Sequence, residues 1–299
     1  MTWRKYNGAM HLLHTILIVV GVAGTALAGQ PDNGFGPSGG APDGSRLISM
    51  DVILDHSAVA PGQEAMLAVR YRIETDWHLY WRNPGETGLP PGVKFEAPEW
   101  LTIGEPLWAA PERHEMPGPL VDFIYEKELL LLFPVTVSAD APVGSEGTVK
   151  ATSDWLVCRR ECLFGGGEAT RSVMVASSAT RSVAAGVIEA WRARVPRRLD
   201  EVRDPPVQVD WKGSALVIEA PGADRITFFP FQTDDDEAMP LDLVRQGIAE
   251  GDRLEAAYNE ERLRDAPRVR GVVTIERGDE TSSWEFELAT RRTGRDSSD

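Results

Sequence analysis

From residue 46 onward the chain alternates. Ile48, Met50, Val52 and Leu54 are separated by less apolar positions, and after the Pro61-Gly62 turn Ala65, Leu67, Val69, Tyr71 and Ile73 repeat the same period of two. Side chains two apart share one face of an extended chain, so each run predicts a half-buried β-strand. Residues 129–137, 149–157 and 172–176 are further strand candidates, with Pro and Gly punctuating the stretches between them. Short strands divided by turn residues, without intervening helical periods, predict a sandwich-like arrangement rather than a βαβ fold.

The period changes between about 180 and 199. Val183, Val187, Ile188, Trp191 and Val195 fall on one helical face, and Ser182 can cap its start, which predicts a helix. Strand-like runs resume at 215–219, 225–229, 253–258, 269–276 and 284–288. The expected fold class is therefore mainly β: an immunoglobulin-like sandwich over 46–179, a linking helix over 180–199 and a second, smaller β-domain over 200–290. Residues 29–45 are rich in Gly, Pro, Asp and Ser and read as a flexible leader. The tail 291–299 reads as disordered.

The first 28 residues add a destination. Arg4 and Lys5 precede the apolar run 12–22, and the segment closes with Ala26-Leu27-Ala28. That order is expected of a cleaved secretory signal peptide, and the run is shorter than the roughly 20 residues of a membrane-spanning helix. The mature chain is expected to be periplasmic, with no membrane span of its own. Removing the two signal cations from the net charge of -15 leaves about -17. Phosphate backbones repel such a chain, so nucleic acid is not an expected partner.

Chemistry concentrates in the two cysteines, Cys158 and Cys162, which are the whole complement of the chain. Four fully extended residues span about 13 Å, whereas a disulfide tolerates Cα atoms no more than ~7 Å apart. To pair, the segment must turn, as one helical turn or at a hairpin tip, and the glycines at 165–167 are read as supplying freedom for it. A bridge over so short a loop constrains the unfolded chain weakly and suits exchange better than stapling. Arg159 and Arg160 favour a thiolate, and Glu161 opposes it. Thiol–disulfide exchange, a structural bridge and metal ligation all remain open on these residues alone.

Other chemistry-bearing residues are weaker signals. A soft ion such as Cu(I) could use two thiolates, yet His56, His78 and His114 stand at no recognisable ligand spacing to them. No metal site and no cofactor are expected. Trp77 and Trp81 read as core aromatics on a strand running into a rigid loop, and the segment 122–126 as either core or a cover over a reactive loop. The acidic run 234–237 reads as a solvated loop, with a cation site as the alternative.

Three segments together carry a resemblance: W-H-L-Y-W-R-N-P-G-E-T-G-L-P-P from Trp77, Y-E-K-E-L-L-L-L-F-P-V from Tyr125, and D-W-L-V-C-R-R-E-C-L from Asp154. This order resembles the periplasmic N-terminal region of the DsbD/ScsB family of thiol:disulfide interchange proteins. The F-F-P-F-Q and R-V-R-G-V-V-T-I-E stretches resemble the second β-domain of its ScsB-type members. The resemblance implies an immunoglobulin-like sandwich whose cysteine pair cycles between dithiol and disulfide. In that family such a domain receives electrons from a membrane-embedded thiol reductase and passes them to thioredoxin-like periplasmic oxidoreductases, including disulfide isomerases and cytochrome c maturation factors; the resemblance implies the same partners here, with copper tolerance a further association.

Carried onto this chain, Cys158 and Cys162 are the redox pair, with Cys162 forming the mixed disulfide. Phe123, Tyr125 and Tyr80 correspond to aromatics that shield it. Family members continue into a multi-helix membrane domain and a thioredoxin-like domain that do not follow in this sequence, so a separate membrane protein is the expected reductant. The competing expectation is a non-catalytic envelope module, binding a protein or Cu(I), whose bridge stays closed.

Overall fold

A computed structural model describes residues 43–231, 241–257 and 268–289. The signal segment, most of the leader, the acidic run 234–237 and the tail lie outside these residues. In chain order the first half holds β1 (Ile48–Leu54), β2 (His56–Val59), β3 (Glu64–Ile73), β4 (His78–Gly85), β5 (Gly92–Glu96), β6 (Leu101–Ile103), β7 (Glu112–Met116), β8 (Leu120–Glu126), β9 (Glu128–Val137), β10 (Glu146–Cys158), β11 (Cys162–Val175) and β12 (Thr180–Arg181).

One sheet runs β1-β3-β9-β6, and the other runs β12-β2-β11-β10-β4-β8-β7 with β5 against the middle of β10. The two pack face to face as an immunoglobulin-like sandwich. Val52, Leu67, Val69 and Leu130 from the first sheet share one core with Leu79, Phe123, Val149, Trp155 and Val157 from the second. The Tyr71 ring meets the Trp155 indole edge-on at 5.9 Å, and its hydroxyl lies 2.8 Å from Ser153 Oγ, so the phenol is satisfied inside the core.

The β11 strand corrects an expectation. It begins at Cys162 and runs through all three glycines, which pair with Trp155, Asp154 and Ser153. None of the three has a left-handed backbone. Their role is space: a Cβ on Gly165 would sit 2.5 Å from Trp155 Nε1 and 2.6 Å from the Gly44 backbone. Glycine there admits the indole, and no turn is involved. Gly44 itself is buried, with its carbonyl accepting from Trp155 Nε1, and Ser45 Oγ accepts from the Gly166 amide. Gly44 and Ser45, grouped with the flexible leader by composition, are thus packed structure.

The linking helix is shorter than its periodicity predicted. Only α1 (Ala185–Arg192) is helical, burying Ile188 and Trp191. Thr180 and Arg181 pair with β2 instead, Val183 is fully exposed, and Pro196 stops the helix from continuing.

Beyond it lie β13 (Arg197–Arg198), β14 (Gln208–Lys212), β15 (Ala215–Glu219), β16 (Arg225–Pro230), α2 (Leu241–Gln246), β17 (Ile248–Glu250), β18 (Arg253–Ala257), β19 (Arg268–Arg277) and β20 (Glu280–Ala289). They form a five-stranded sheet, β13-β20-β19-β16-β17, and a three-stranded one, β14-β15-β18. Ile226 and Phe228 on β16 face the core between these sheets. Phe229 and Phe231, on the alternate parity, belong to the core of the sandwich. The Phe229 ring stands 5.0 Å from Phe123 and 6.0 Å from Trp81, and Phe231 stands 5.5 Å from Trp81. One strand therefore serves two cores, which explains its unbroken apolar run.

Candidate functional site

The antiparallel register of β10 and β11 ends by placing Cys158 directly opposite Cys162 across a three-residue tip, Arg159-Arg160-Glu161. The sulfurs are bonded, with Cα atoms 4.1 Å apart. The required turn is thus a hairpin tip, and the Arg159 amide donates to the Glu161 carbonyl at 3.0 Å to close it. The Arg159 guanidinium lies over the Trp77 ring, 4.9 Å from its centroid.

Alternation on β10 turns Trp155 and Val157 into the core and Leu156 and Cys158 to the outside of the sheet. Yet Cys158 is only 3% exposed, because a small second cluster of Tyr80, Ile124 and Leu156 covers it on that outer face. Cys162 is exposed. One cysteine of the pair is buried and the other is exposed. Phe164, two residues beyond Cys162 on the same parity, is 72% exposed and gives the open side an apolar neighbour.

Residues 45–172, which include both cysteines, match the family described as "Thiol:disulfide interchange protein DsbD, N-terminal". The chain carries a DsbD N-terminal domain. No curated protein sequence matches it. Among solved structures, the N-terminal periplasmic domain of ScsB from Proteus mirabilis is similar at 12% identity and a TM-score of 0.48, over 82% of this chain and 92% of that one. The DsbD n-terminal domain of Neisseria meningitidis in the reduced form is similar at 16% identity and a TM-score of 0.26, over 44% of this chain and 94% of that one.

In this DsbD N-terminal domain, the aromatics expected around the pair divide. Tyr80 is at the site, its hydroxyl 4.0 Å from Cys162 Sγ. Phe123 and Tyr125 are not: they lie on the opposite parity of β8 and are buried in the sandwich interior, where Phe123 meets Trp81 and the Tyr125 hydroxyl donates to the Ala109 carbonyl at 2.6 Å. The β8 side chain that does pack against Cys158 is Ile124. A one-residue difference in position reverses the face of a strand, and the segment was not legible as a strand beforehand.

Tyr80 is itself covered by the turn after β4. A Cβ on Gly88 would fall 2.2 Å from the Tyr80 ring, so the backbone there lies directly on the phenol, in a left-handed conformation that glycine permits. Thr87 ties this turn down, its amide and hydroxyl donating to the two oxygens of Asp122 at 2.9 and 2.6 Å. Glu86 accepts from the Val121 amide and pairs with Arg245 of α2, while Arg113 donates to the Val244 and Arg245 carbonyls at the end of that helix. Elements of the second half therefore brace the turn that covers the site.

His78, weighed from the sequence only as a metal ligand, sits at the site: it pairs across from Cys158 and is 3% exposed. Its Nε2 lies 3.3 Å from the Tyr80 hydroxyl, and its ring is 5.4 Å from that of His114. Burial, assisted by the nearby His114 charge, lowers its pKa to about 4. Burial raises the Tyr80 phenol to about 12, and it also raises the Asp122 carboxyl against the opposing pull of its Thr87 bonds. The available signal was the parity His78-Tyr80. Among the described residues, no group of three or more His, Cys, Asp or Glu is arranged to hold a metal ion, and no helix is long and apolar enough to cross a membrane.

Proposed function

We propose that this chain is a periplasmic thiol–disulfide exchange protein, an oxidoreductase that uses Cys158 and Cys162 and no cofactor. The observation that carries the reading is the unequal exposure of two bonded cysteines. Cys162 is the exposed partner on which an incoming thiolate would act, whereas Cys158 is covered. Exchange requires attack along the S–S bond on an accessible sulfur, so Cys162 takes the mixed disulfide and Cys158 leaves.

The cycle balances in two halves. A donor thiolate attacks Cys162 Sγ, the Cys158–Cys162 bond breaks, and Cys158 departs as the thiolate. The donor's second thiolate then attacks its own sulfur in the mixed disulfide and releases Cys162, leaving the donor oxidised and this domain reduced by two electrons. In the second half the Cys162 thiolate attacks an acceptor disulfide, and Cys158 displaces the acceptor by attacking Cys162 Sγ. Donor and acceptor are, on this reading, a membrane-embedded thiol reductase and thioredoxin-like oxidoreductases of the envelope.

The test is to express Cys158→Ser in cells and separate envelope extracts without reductant. Covalent adducts held through Cys162, absent in the double serine variant, are expected. A bridge that stays closed under all cellular conditions, with no adduct from Cys158→Ser, would support the alternative of a binding module with a structural disulfide.

A further inference from the structure

The outer face of the large sheet holds buried polar residues that the exchange cycle does not use, among them His78 and Tyr80. Tyr80 Oη is 4.0 Å from Cys162 Sγ and 3.3 Å from His78 Nε2. In the disulfide, sulfur carries no proton and can only accept, so a bond between the two is donated by the phenol. A phenol has a single hydrogen. Having given it to sulfur, Tyr80 faces His78 with lone pairs, and the His78 contact requires the neutral tautomer with its proton on Nε2.

We propose that Tyr80 is a catalytic residue that stabilises the Cys162 thiolate by hydrogen bonding, and that His78 is the positioning residue that orients its hydroxyl. The donor chain runs His78 Nε2–H to Tyr80 Oη–H to Cys162 Sγ. It rests on the exchange reading above, since it matters only if Cys162 becomes a thiolate. No covalent bond changes within it: negative charge arrives on Cys162 when a partner releases it and passes to the partner's leaving sulfur when Cys162 attacks.

Three features keep the chain in this state. The phenol, held at about 12 by burial, retains its proton beside a thiolate, and the imidazole, held at about 4, stays neutral. Gly88 presses on the Tyr80 ring and removes its freedom to swing away. A hydrogen bond from a preset donor lowers the energy of the charged form and so lowers the thiol pKa. The other charged or titratable groups near this cluster include Asp122 on β8, bonded to Thr87; Glu126 on β8, opposite His78 in the register; His114 on β7; and Arg159, Arg160 and Glu161 on the hairpin tip.

The full chain is reduced, freed of reductant and alkylated with iodoacetamide across pH 5 to 10. Cys162 and Cys158 are then quantified separately after trypsin, which cuts between them at Arg159 and Arg160. In Tyr80→Phe, which keeps the ring and loses one oxygen, the apparent pKa of Cys162 should rise by about one unit, a roughly tenfold loss of thiolate near neutral pH. In His78→Leu it should rise in the same direction by about a third of that factor.

A profile for Tyr80→Phe that superimposes on the wild type, while the wild type still forms Cys162 adducts with partners, overturns the donor chain and leaves the exchange reading intact. A shift in Tyr80→Phe with none in His78→Leu overturns the role of His78. A wild-type Cys162 that neither alkylates nor exchanges overturns both readings together.

Discussion

The indole of Trp155 occupies the volume that a side chain at Gly165 would need, and through that exchange of space the β10–β11 hairpin is locked onto the segment before β1. Substituting Gly165→Ala places a methyl against both the ring and the Gly44–Ser45 backbone, neither of which has a flexible end to move. A loss of about 1–3 kcal/mol is expected from overpacking, read as a lower denaturant midpoint at unchanged slope. Gly166→Ala, whose new carbon would meet the Ser153 carbonyl at 3.1 Å and Asp154 Cα at an ordinary 3.9 Å, should cost less.

The aromatic contact of Phe229 with Trp81 and Phe123 makes the two halves share a core. Phe229→Ala should destabilise by about 3–5 kcal/mol, the usual cost of emptying a buried aromatic site. Because β16 carries Phe228 into the other core, urea unfolding followed by tryptophan fluorescence should remain a single transition in the wild type. Two well-separated transitions in the wild type would argue that the halves fold independently.

Acid should act through His78. Its folded pKa, about 4, lies below the ordinary histidine value of 6.5, so the unfolded chain takes up a proton first. The stabilising effect of keeping it neutral is complete above pH 6.5 and is lost as the pH falls toward 4, by at most roughly 1.4 kcal/mol per unit. Asp122, raised by burial, acts in the opposite sense, so the comparison is between wild type and His78→Gln with Asp122 intact in both. The variant should have the flatter stability profile between pH 6.5 and 4.

Reducing the disulfide should leave the fold in place. The bridge closes only the tip between paired residues, and a loop this short restricts the unfolded chain by no more than about 2 kcal/mol. Thermal melts of the oxidised and dithiol forms should therefore differ by only a few degrees, and collapse on reduction would mark the bridge as a staple.

The strand pairs β1 and β3, and most of the later strands, were written in the period of two, since local geometry alone decides which side chains share a face. So was the need for Cys158 and Cys162 to meet by a turn, which chain length imposes on any fold. Which face was inside was not written anywhere in the local pattern. The segment of Phe123 and Tyr125 reads the same with either parity inward, and only the pairing of β8 with β4 turned both aromatics into the core and left Ile124 to cover Cys158. The glycines of 165–167 carry no local mark of the Trp155 ring that excludes a side chain. The open state of Cys162 and the sealed state of Cys158 likewise depend on what the rest of the chain lays over the hairpin, because exposure is a property of packed neighbours and not of a residue's own neighbours in sequence.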